Sequence, residues 1–204
     1  MVPKKIYLIR HGQTEYNKQG IVQGCGVDSS LNDTGRAQAQ AFYTHFKDTP
    51  PDQLFISGLK RTRETMASFI DAGVPYESLP GLNEIHWGTK EGKPFNPDDH
   101  DEYLHIVNAW RMGETHLGIA GGQSPEEVAA QQKECLPTIL EAPGKEVFVC
   151  MHGRAMRIFL CVMLNLPLRH MDLFEHSNLS CYRLTHTGSM FSLDWYNYRR
   201  HLED

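Results

Sequence analysis

Two histidine–glycine pairs follow short apolar runs in this 204-residue chain. Ile6–Ile9 leads into R-H-G at Arg10–Gly12, and Val147–Met151 leads into H-G at His152. Such runs are typical of strands buried on both faces of a parallel sheet, and ligands bind beyond the carboxyl ends of these strands. An imidazole there can be a nucleophile or a proton carrier, and a guanidinium can donate two N–H groups to one oxyanion. A hydrogen-bonded core histidine is the alternative for His11 taken alone.

More motifs accompany these pairs in a fixed order. The first run continues as I-Y-L-I-R-H-G-Q-T-E-Y-N to Asn17, and M-H-G at 151–153 is the second His-Gly block. The other blocks are L-N-D-T-G at 31–35, S-G-L-K-R-T-R-E-T at 57–65, L-N-E-I at 82–85 and N-Y-R-R-H-L at 197–202. Together the blocks resemble the histidine phosphatase superfamily, also called the phosphoglycerate mutase-like family. The resemblance covers essentially the whole chain.

The resemblance implies cleavage of a phosphomonoester through a phosphohistidine. It makes His11 the nucleophile, and it makes Arg10, Arg61 and His152 the groups that bind the phosphoryl oxygens. Attack needs a neutral imidazole, and the two arginines should disfavour protonation of His11. Glu84 is the implied proton carrier, which protonates the leaving alkoxide and then accepts a proton from the water that hydrolyses the phosphohistidine.

Five further residues are expected at the substrate: Asn17, Gln23, Gly24, Gly153 and Arg154. Asn17 is either a donor to the phosphoryl oxygens or a turn residue. Gln23 and Gly24 open a loop to residue 31 that is one residue longer than the spacing usual in the family. Arg154 is either a substrate contact or a surface arginine at a helix start.

Eleven histidines raise the question of a metal site. His100 and His105 are five residues apart, which differs from the four-residue spacing that places two ligands on one helical face. No metal is therefore expected in the site. The resemblance implies no cofactor for hydrolysis, and activity should survive EDTA.

Two enzymatic outcomes are open within the resembled family. A phosphatase lets water attack the phosphohistidine, whereas a mutase returns the phosphoryl group to a second hydroxyl, with 2,3-bisphosphoglycerate as primer. Excluding water needs a lid, and the stretch from Glu84 to His152 is shorter than in glycolytic mutases of the family. This favours a phosphatase that acts on small phosphorylated metabolites. A non-catalytic module that binds phosphorylated ligands is a third hypothesis, which the intact set of reactive residues disfavours.

The composition argues against several partners. Twenty cationic and 25 anionic side chains give a net charge of −5, without the basic footprint of nucleic-acid binding. The longest apolar run, Ile158–Leu164, is too short for a membrane span, and four apolar residues before Arg10 are too few for a signal-peptide core. Five scattered cysteines without a C-x-x-C pair fit free thiols, with Cys150 and Cys161 buried. A cytoplasmic protein is expected.

Strand-like and helix-like stretches alternate along the chain. Parallel strands are predicted at Ile6–Ile9, Gln53–Ser57 and Val147–Met151. Two last strands, Asn178–Thr185 and Met190–Trp195, are joined by a turn at 187–188, which indicates an antiparallel edge. The order predicts an α/β three-layer sandwich, with a mostly parallel central sheet and helices on both faces, in a single domain over residues 1–204.

Four helices are predicted, beginning at Asn32, Arg61, Ser124 and Arg154. S-P-E-E at 124–127 combines an N-cap serine, a proline at the first helical position and a glutamate three residues after the cap. The second helix extends to Ala72, and the last extends to residue 164 and is apolar nearly all round, which indicates burial. The inward positions of the first two helices are Ala37, Ala41, Phe42, Phe46, Met66, Phe69 and Ile70.

Residues 87–122 lack a clear strand and are rich in Pro, Gly, His and Trp. They are predicted to form a helical and loop insertion over the active site, helical near Asp101–Trp110. Four aromatic residues either line an apolar rim over the site or form the insertion's own small core: Trp87, Phe95, Tyr103 and Trp110.

Overall fold

Six strands form the sheet of the computed structural model, which describes residues 3–94 and 97–203. They are β1 (Lys4–Arg10), β2 (Gln53–Ile56), β3 (Tyr76–Ser78), β4 (Glu146–Met151), β5 (Cys181–His186) and β6 (Phe191–Tyr198). Their order across the sheet is β3-β2-β4-β1-β5-β6. The first four pair in parallel, while β5 and β6 pair antiparallel at one edge. The predicted mostly parallel sheet with an antiparallel edge is confirmed.

The α-helices of the described residues are α1 (Glu15–Gln19), α2 (Asp33–Phe46), α3 (Lys60–Thr65), α4 (Ala67–Asp71), α5 (Pro97–Met112), α6 (Pro125–Glu141) and α7 (Gly153–Met163). Short 3₁₀ turns lie at Pro80–Leu82, Gly88–Lys90, Leu168–Leu173 and Arg200–Leu202. The side chains of Asn32 and Ser124 cap α2 and α6 as predicted, the latter in a capping box with Glu127.

Side chains of the central strands alternate between two apolar layers, one on each face of the sheet. In β1, Ile6 and Leu8 join a layer built with α6 and α7, while Tyr7 and Ile9 join the opposite layer with Phe42 of α2. Helices therefore cover both faces, and the three-layer sandwich is confirmed. The helix α7 is buried along nearly its whole length, as its apolar sequence predicts.

The buried face of α2 differs from the predicted one. Ala37 is exposed and Ala41 is half-buried, whereas the buried positions are Gly35, Ala39, Phe42 and Phe46. These four follow the three- to four-residue spacing of one helical face, and Ala37 lies off that face. Placing Ala37 inward was therefore wrong.

The helix predicted over Arg61–Ala72 is two short helices, α3 and α4, which meet at Met66 with φ −100° and ψ 6°. Thr65 Oγ1 donates to the Arg61 carbonyl at 2.6 Å, and such back-bonding bends helices. Met66 and Phe69 are buried in the layer shared with α2, and Ile70 packs against it, so the predicted inward face is confirmed.

The strand predicted from Asn178 begins three residues later, at Cys181. Leu179 has φ 56°, in the left-handed region, which interrupts an extended chain. Its N–H donates to the Arg10 carbonyl, so the segment curls around the end of β1. The short strand β3 was not predicted, because its three residues are all exposed and carry no apolar pattern.

The insertion contributes to the core. Its helix α5 is longer than the predicted Asp101–Trp110. Trp87 and Trp110 are buried in the layer of α6 and α7, with ring centroids 6.0 Å apart, and Tyr103 packs against the same layer. Both tryptophans are therefore core residues, but of the main apolar layer and not of a small core formed by the insertion alone, while Phe95 lies outside the described residues.

Within the described part of the chain, no helix combines the length and apolar character needed to cross a bilayer. The five cysteines are free thiols, and Cys150 and Cys161 are buried as predicted.

Candidate active site

His11 stands directly after β1, where backbone contacts fix it. Its N–H donates to the Met151 carbonyl at 3.0 Å, and its carbonyl accepts from Asn178 Nδ2 at 3.0 Å. The ring Nδ1 lies 2.7 Å from the Gly12 carbonyl oxygen, which can only accept, so Nδ1 carries a proton. Nε2 is therefore the ring nitrogen that holds a lone pair when the imidazole is neutral.

The environment of His11 favours that neutral form. Burial lowers the pKa of His11 well below its usual 6.5, and the cationic Arg61 and Arg10 lower it further. The ring lies beside that of His152, with centroids 5.1 Å apart. Burial and the same arginines also lower the pKa of His152 well below 6.5.

Arg61 is fully buried near the start of α3. Its Nε donates to His152 Nδ1 at 3.1 Å, while Nη1 and Nη2 donate to the carbonyls of Val27 at 2.6 Å and Gly24 at 3.2 Å. A guanidinium has five N–H groups, so two remain for an anion. These contacts fix the orientation of the guanidinium plane and leave two N–H groups available to bind an anion.

The bonds of His152 differ from the expected ones. Because Nδ1 accepts from Arg61, the proton of the neutral ring is on Nε2, which lies 2.8 Å from Ser57 Oγ. Both ring nitrogens are thus engaged by the protein. His152 lies beside His11 as expected, but in this arrangement it orients Arg61, and donating to a phosphoryl oxygen would require exchange of the Ser57 contact.

Arg10, next to His11 in the chain, has one buried N–H donor without a partner in the part of the chain that the structure describes. Its Nη1 donates to His176 Nδ1 at 3.1 Å, and its buried Nε has no partner among the described residues. Burial lowers the pKa of Arg10 to about 10, which still leaves it charged at neutral pH. A buried, unpaired N–H is costly unless a ligand accepts from it, so this atom indicates an anion site.

Glu84 follows the 3₁₀ turn at Pro80–Leu82 and is buried. Its Oε1 accepts from the N–H groups of Ile85 at 3.0 Å and Ala155 at 2.8 Å, and Oε2 accepts from Arg154 N–H at 3.1 Å. The carboxylate therefore sits at the N-terminus of α7, a position that favours anions. Oε2 keeps a lone pair that can carry a proton, and Glu84 lines a cavity of about 400 Å³.

Arg154 is a buried link between helices. Its guanidinium donates to Asp172 Oδ1 at 2.5 Å and to Tyr103 Oη at 2.9 Å, and it lies 5.3 Å from the Trp110 ring centroid. The expectation of a surface arginine is therefore wrong. The side chain ties α7 to α5, and its backbone N–H binds Glu84.

The other expected substrate residues lie around the same strand ends. Asn17 Oδ1 accepts from Thr14 N–H and from Asn178 Nδ2, each at 3.2 Å, which establishes the turn role and leaves the Asn17 amide N–H groups for other partners. Gln23 Nε2 donates to Thr14 Oγ1 at 2.7 Å. Gly24 contributes its carbonyl to Arg61.

Gly153 opens α7 where space is restricted. A Cβ there would lie 2.6 Å from Cε1 of His176, so a glycine is needed for that ring to reach Arg10. Burial and the nearby arginines lower the pKa of His176 to about 2, which keeps it a neutral acceptor.

The structure thus brings together Arg10, His11, Arg61, Glu84 and His152, the set expected to do chemistry. Sequence reasoning missed His176 and Asn178. Both precede β5, and since β5 is antiparallel to β1, its start must lie at the carboxyl end of β1. The antiparallel pairing of β5 with β1 is the feature that could have placed both residues at the site.

The names of the curated relatives describe two activities, those of a phosphatase and of a phosphoglycerate mutase. The chain is 43% identical over 90 residues to a probable phosphatase of Schizosaccharomyces pombe, a match covering 43% of each chain. It is 28% identical to fructose-2,6-bisphosphatase TIGAR B of Danio rerio, covering 76% of this chain and 59% of that one. It is 29% identical to a probable phosphoglycerate mutase GpmB of Yersinia pestis, covering 80% and 76%. The chain thus spans less than two thirds of the first two relatives.

Solved structures share the whole fold. The native structure of a mycobacterial glucosyl-3-phosphoglycerate phosphatase superposes with a TM-score of 0.84 at 25% identity, covering 97% of this chain and 100% of that one. A sequence model described as Histidine phosphatase superfamily (branch 1) matches residues 6–199. With the fold, the motifs and this match in agreement, the chain belongs to the histidine phosphatase superfamily.

Proposed function

We propose that this protein is a metal-independent phosphatase that hydrolyses phosphomonoesters through a phosphohistidine on His11. The observation that carries the proposal is the state of His11: a neutral imidazole, with Nδ1–H held by the Gly12 carbonyl and the Nε2 lone pair available. A neutral nitrogen nucleophile beside two arginines is suited to attack on a phosphate dianion.

Each step uses a group of this chain. Nε2 of His11 bonds to phosphorus as the bond to the leaving oxygen breaks, and Glu84 gives that oxygen a proton. The Gly12 carbonyl supports the positive charge on the phosphorylated ring, and free N–H groups of Arg10 and Arg61 bind the phosphoryl oxygens. Water then attacks phosphorus, Glu84 accepts its proton, and inorganic phosphate leaves with His11 restored.

Small phosphorylated metabolites are the proposed substrates. Two relatives are named for phosphate esters of sugars or sugar derivatives, which supports this class. No nucleic acid or membrane partner is proposed, and five free thiols fit a reducing, cytoplasmic setting.

A mutase primed by 2,3-bisphosphoglycerate is the second candidate, which the GpmB relative supports. A panel of phosphomonoesters with EDTA separates the two. We expect free phosphate from several esters, including 3-phosphoglycerate, without 2-phosphoglycerate formation. Primer-dependent isomerisation with little phosphate release would establish the mutase, and binding of phosphate esters without turnover would indicate a non-catalytic module.

A further inference from the structure

Three side chains of metal-binding types converge beside the proposed active site and take no part in the hydrolysis. Cys25, His86 and Glu91 each place one ligand atom within 4.8 Å of the other two. Among the side chains described, at residues 3–94 and 101–203, no other set of three such groups converges in this way. All three residues are half-buried, so an ion could reach them from solvent.

The loop that carries Cys25 is shaped around the Glu91 carboxylate. This loop, residues 23–31, is the one whose length departs from the family's usual spacing. A Cβ on Gly24 would lie 1.7 Å from Glu91 Oε1, and a Cβ on Gly26 would lie 2.3 Å from Oε2. Only glycines allow this approach, and they place the intervening Cys25 against the carboxylate.

His86 and Glu91 are held in states that suit ligation. His86 Nδ1 accepts from Gly88 N–H at 3.0 Å and lies 3.9 Å from Glu91 Oε1. An accepting nitrogen has a lone pair in place of a proton, which ligation requires. Glu91 Oε1 accepts from Trp87 N–H at 2.9 Å, which orients the carboxylate and leaves further lone pairs.

We propose that Cys25, His86 and Glu91 form a zinc site that inhibits the enzyme. One sulfur, one nitrogen and one oxygen, with water as the fourth ligand, is a tetrahedral set that Zn²⁺ accepts. On binding, His86 Nδ1 gives up its hydrogen bond from Gly88 N–H and its lone pair binds the ion. The Cys25 thiol releases its proton to solvent, and its sulfur bonds to zinc. Thiolate and carboxylate then balance the charge of the ion.

Inhibition follows from how the loop holds Arg61, and this part rests on the proposed function. The carbonyls of Gly24 and Val27, on either side of Cys25, accept from the Arg61 guanidinium. A zinc ion with bonds of about 2.0–2.3 Å draws its ligands to within about 4 Å of one another, and the three ligand atoms here, which lie within 4.8 Å of one another, close around it. Drawing Cys25 inward therefore shifts both carbonyls and turns the guanidinium away from the phosphoryl oxygens.

Cobalt absorption tests binding without any substrate. We expect EDTA-treated and desalted protein to bind one equivalent of Co²⁺ with a thiolate-to-cobalt charge-transfer band, and Zn²⁺ to displace it. Cys25→Ser should abolish the band, and His86→Gln should weaken Co²⁺ binding at least tenfold. The matched control is Cys135→Ser. Cys135 lines the cavity that Glu84 and Cys25 also line, but it lies outside the cluster, so this variant should keep the band.

The ratio of turnover with and without added Zn²⁺ then tests inhibition. Wild type and Cys135→Ser should slow at least tenfold, whereas Cys25→Ser should be insensitive. No cobalt band in wild type, or a band that persists in Cys25→Ser, would overturn the site. Zinc inhibition that survives in Cys25→Ser would overturn its link to activity. If no phosphomonoester is turned over, the proposed function fails while the cobalt measurement still decides the site.

Discussion

A single residue, Glu84, is proposed to move the protons of the reaction. Three backbone N–H groups hold its carboxylate at the start of α7, and the residue lines a cavity. This position supports the proposed role, in which Glu84 first gives a proton to the leaving oxygen and then accepts one from water.

Glu84→Gln keeps the size of the side chain and removes the proton carrier. With p-nitrophenyl phosphate, whose leaving group needs no proton, we expect a rapid burst of one equivalent of nitrophenol as His11 is phosphorylated. Steady-state turnover should fall by roughly 10²–10⁴-fold, because the water that attacks the phosphohistidine lacks a base. Rapid mixing measures both phases.

Glu134→Gln is the matched control, an exposed glutamate that lines the same cavity. It should leave both phases unchanged. A Glu84→Gln enzyme whose steady-state rate stays within a few-fold of wild type would remove Glu84 from the mechanism.

Prediction from sequence succeeded where a residue stands in a local motif. The strand–Arg-His-Gly order placed His11 at a strand end, since the apolar run and the turn are adjacent in the chain. His176 and Asn178 could not be placed in this way, because the contacts of His176 with Arg10 and of Asn178 with His11 arise only through the pairing of β1 with β5. The hydrogen bonds at the two ring nitrogens of His152 were likewise not predictable, because they depend on the packing of α3 against β4.

Among the helices, α5 is linked to the site in part through the Asp172 carboxylate. Asp172 accepts from Arg154 and from Arg157 at 2.7 Å, and Arg111 at the end of α5 lies 3.3 Å from it. Since Arg154 also binds Glu84 through its backbone N–H, it contributes both to the docking of α5 and to the position of Glu84.

Asp172→Asn removes the charge that three arginines share. We expect the free energy of unfolding to fall by roughly 1–3 kcal/mol, because buried guanidinium groups lose a charged acceptor. The amides of α5 should also exchange hydrogen faster. Urea denaturation and hydrogen exchange measure the two effects.

Asp194→Asn is the control, since Asp194 pairs with Arg183 on the antiparallel edge. It should cost less than about 1 kcal/mol, as expected for a partly exposed pair, and leave exchange in α5 unchanged. Equal destabilisation by both variants would contradict a special role for Asp172.

Across the described part of the molecule, the fold keeps four histidines neutral. Burial is the largest cause of a lowered pKa at His11, His152, His176 and His201, with the pKa of His201 at about 4. In the unfolded chain these groups gain protons as the pH falls through about 6.5. The unfolded state then binds more protons than the folded state, so acid favours unfolding.

We expect the free energy of unfolding to fall between pH 7 and pH 5, with each such histidine contributing up to about 1.4 kcal/mol per pH unit. Urea denaturation at several pH values gives the slope. His201→Gln should reduce it, because the glutamine does not titrate. A flat profile from pH 7 to pH 5 would contradict the neutral, buried states.

The proposed mechanism depends on a phosphohistidine at His11, which can be trapped and identified. A phosphomonoester is mixed rapidly with the protein, quenched in alkali, which preserves a phosphorus–nitrogen bond, and the digest is analysed by mass spectrometry. We predict an acid-labile phosphoryl group on His11. It should be present in the exposed-histidine control His105→Ala and absent in His11→Ala, which should not turn over. Turnover by wild type without this adduct, or full turnover by His11→Ala, would contradict this mechanism.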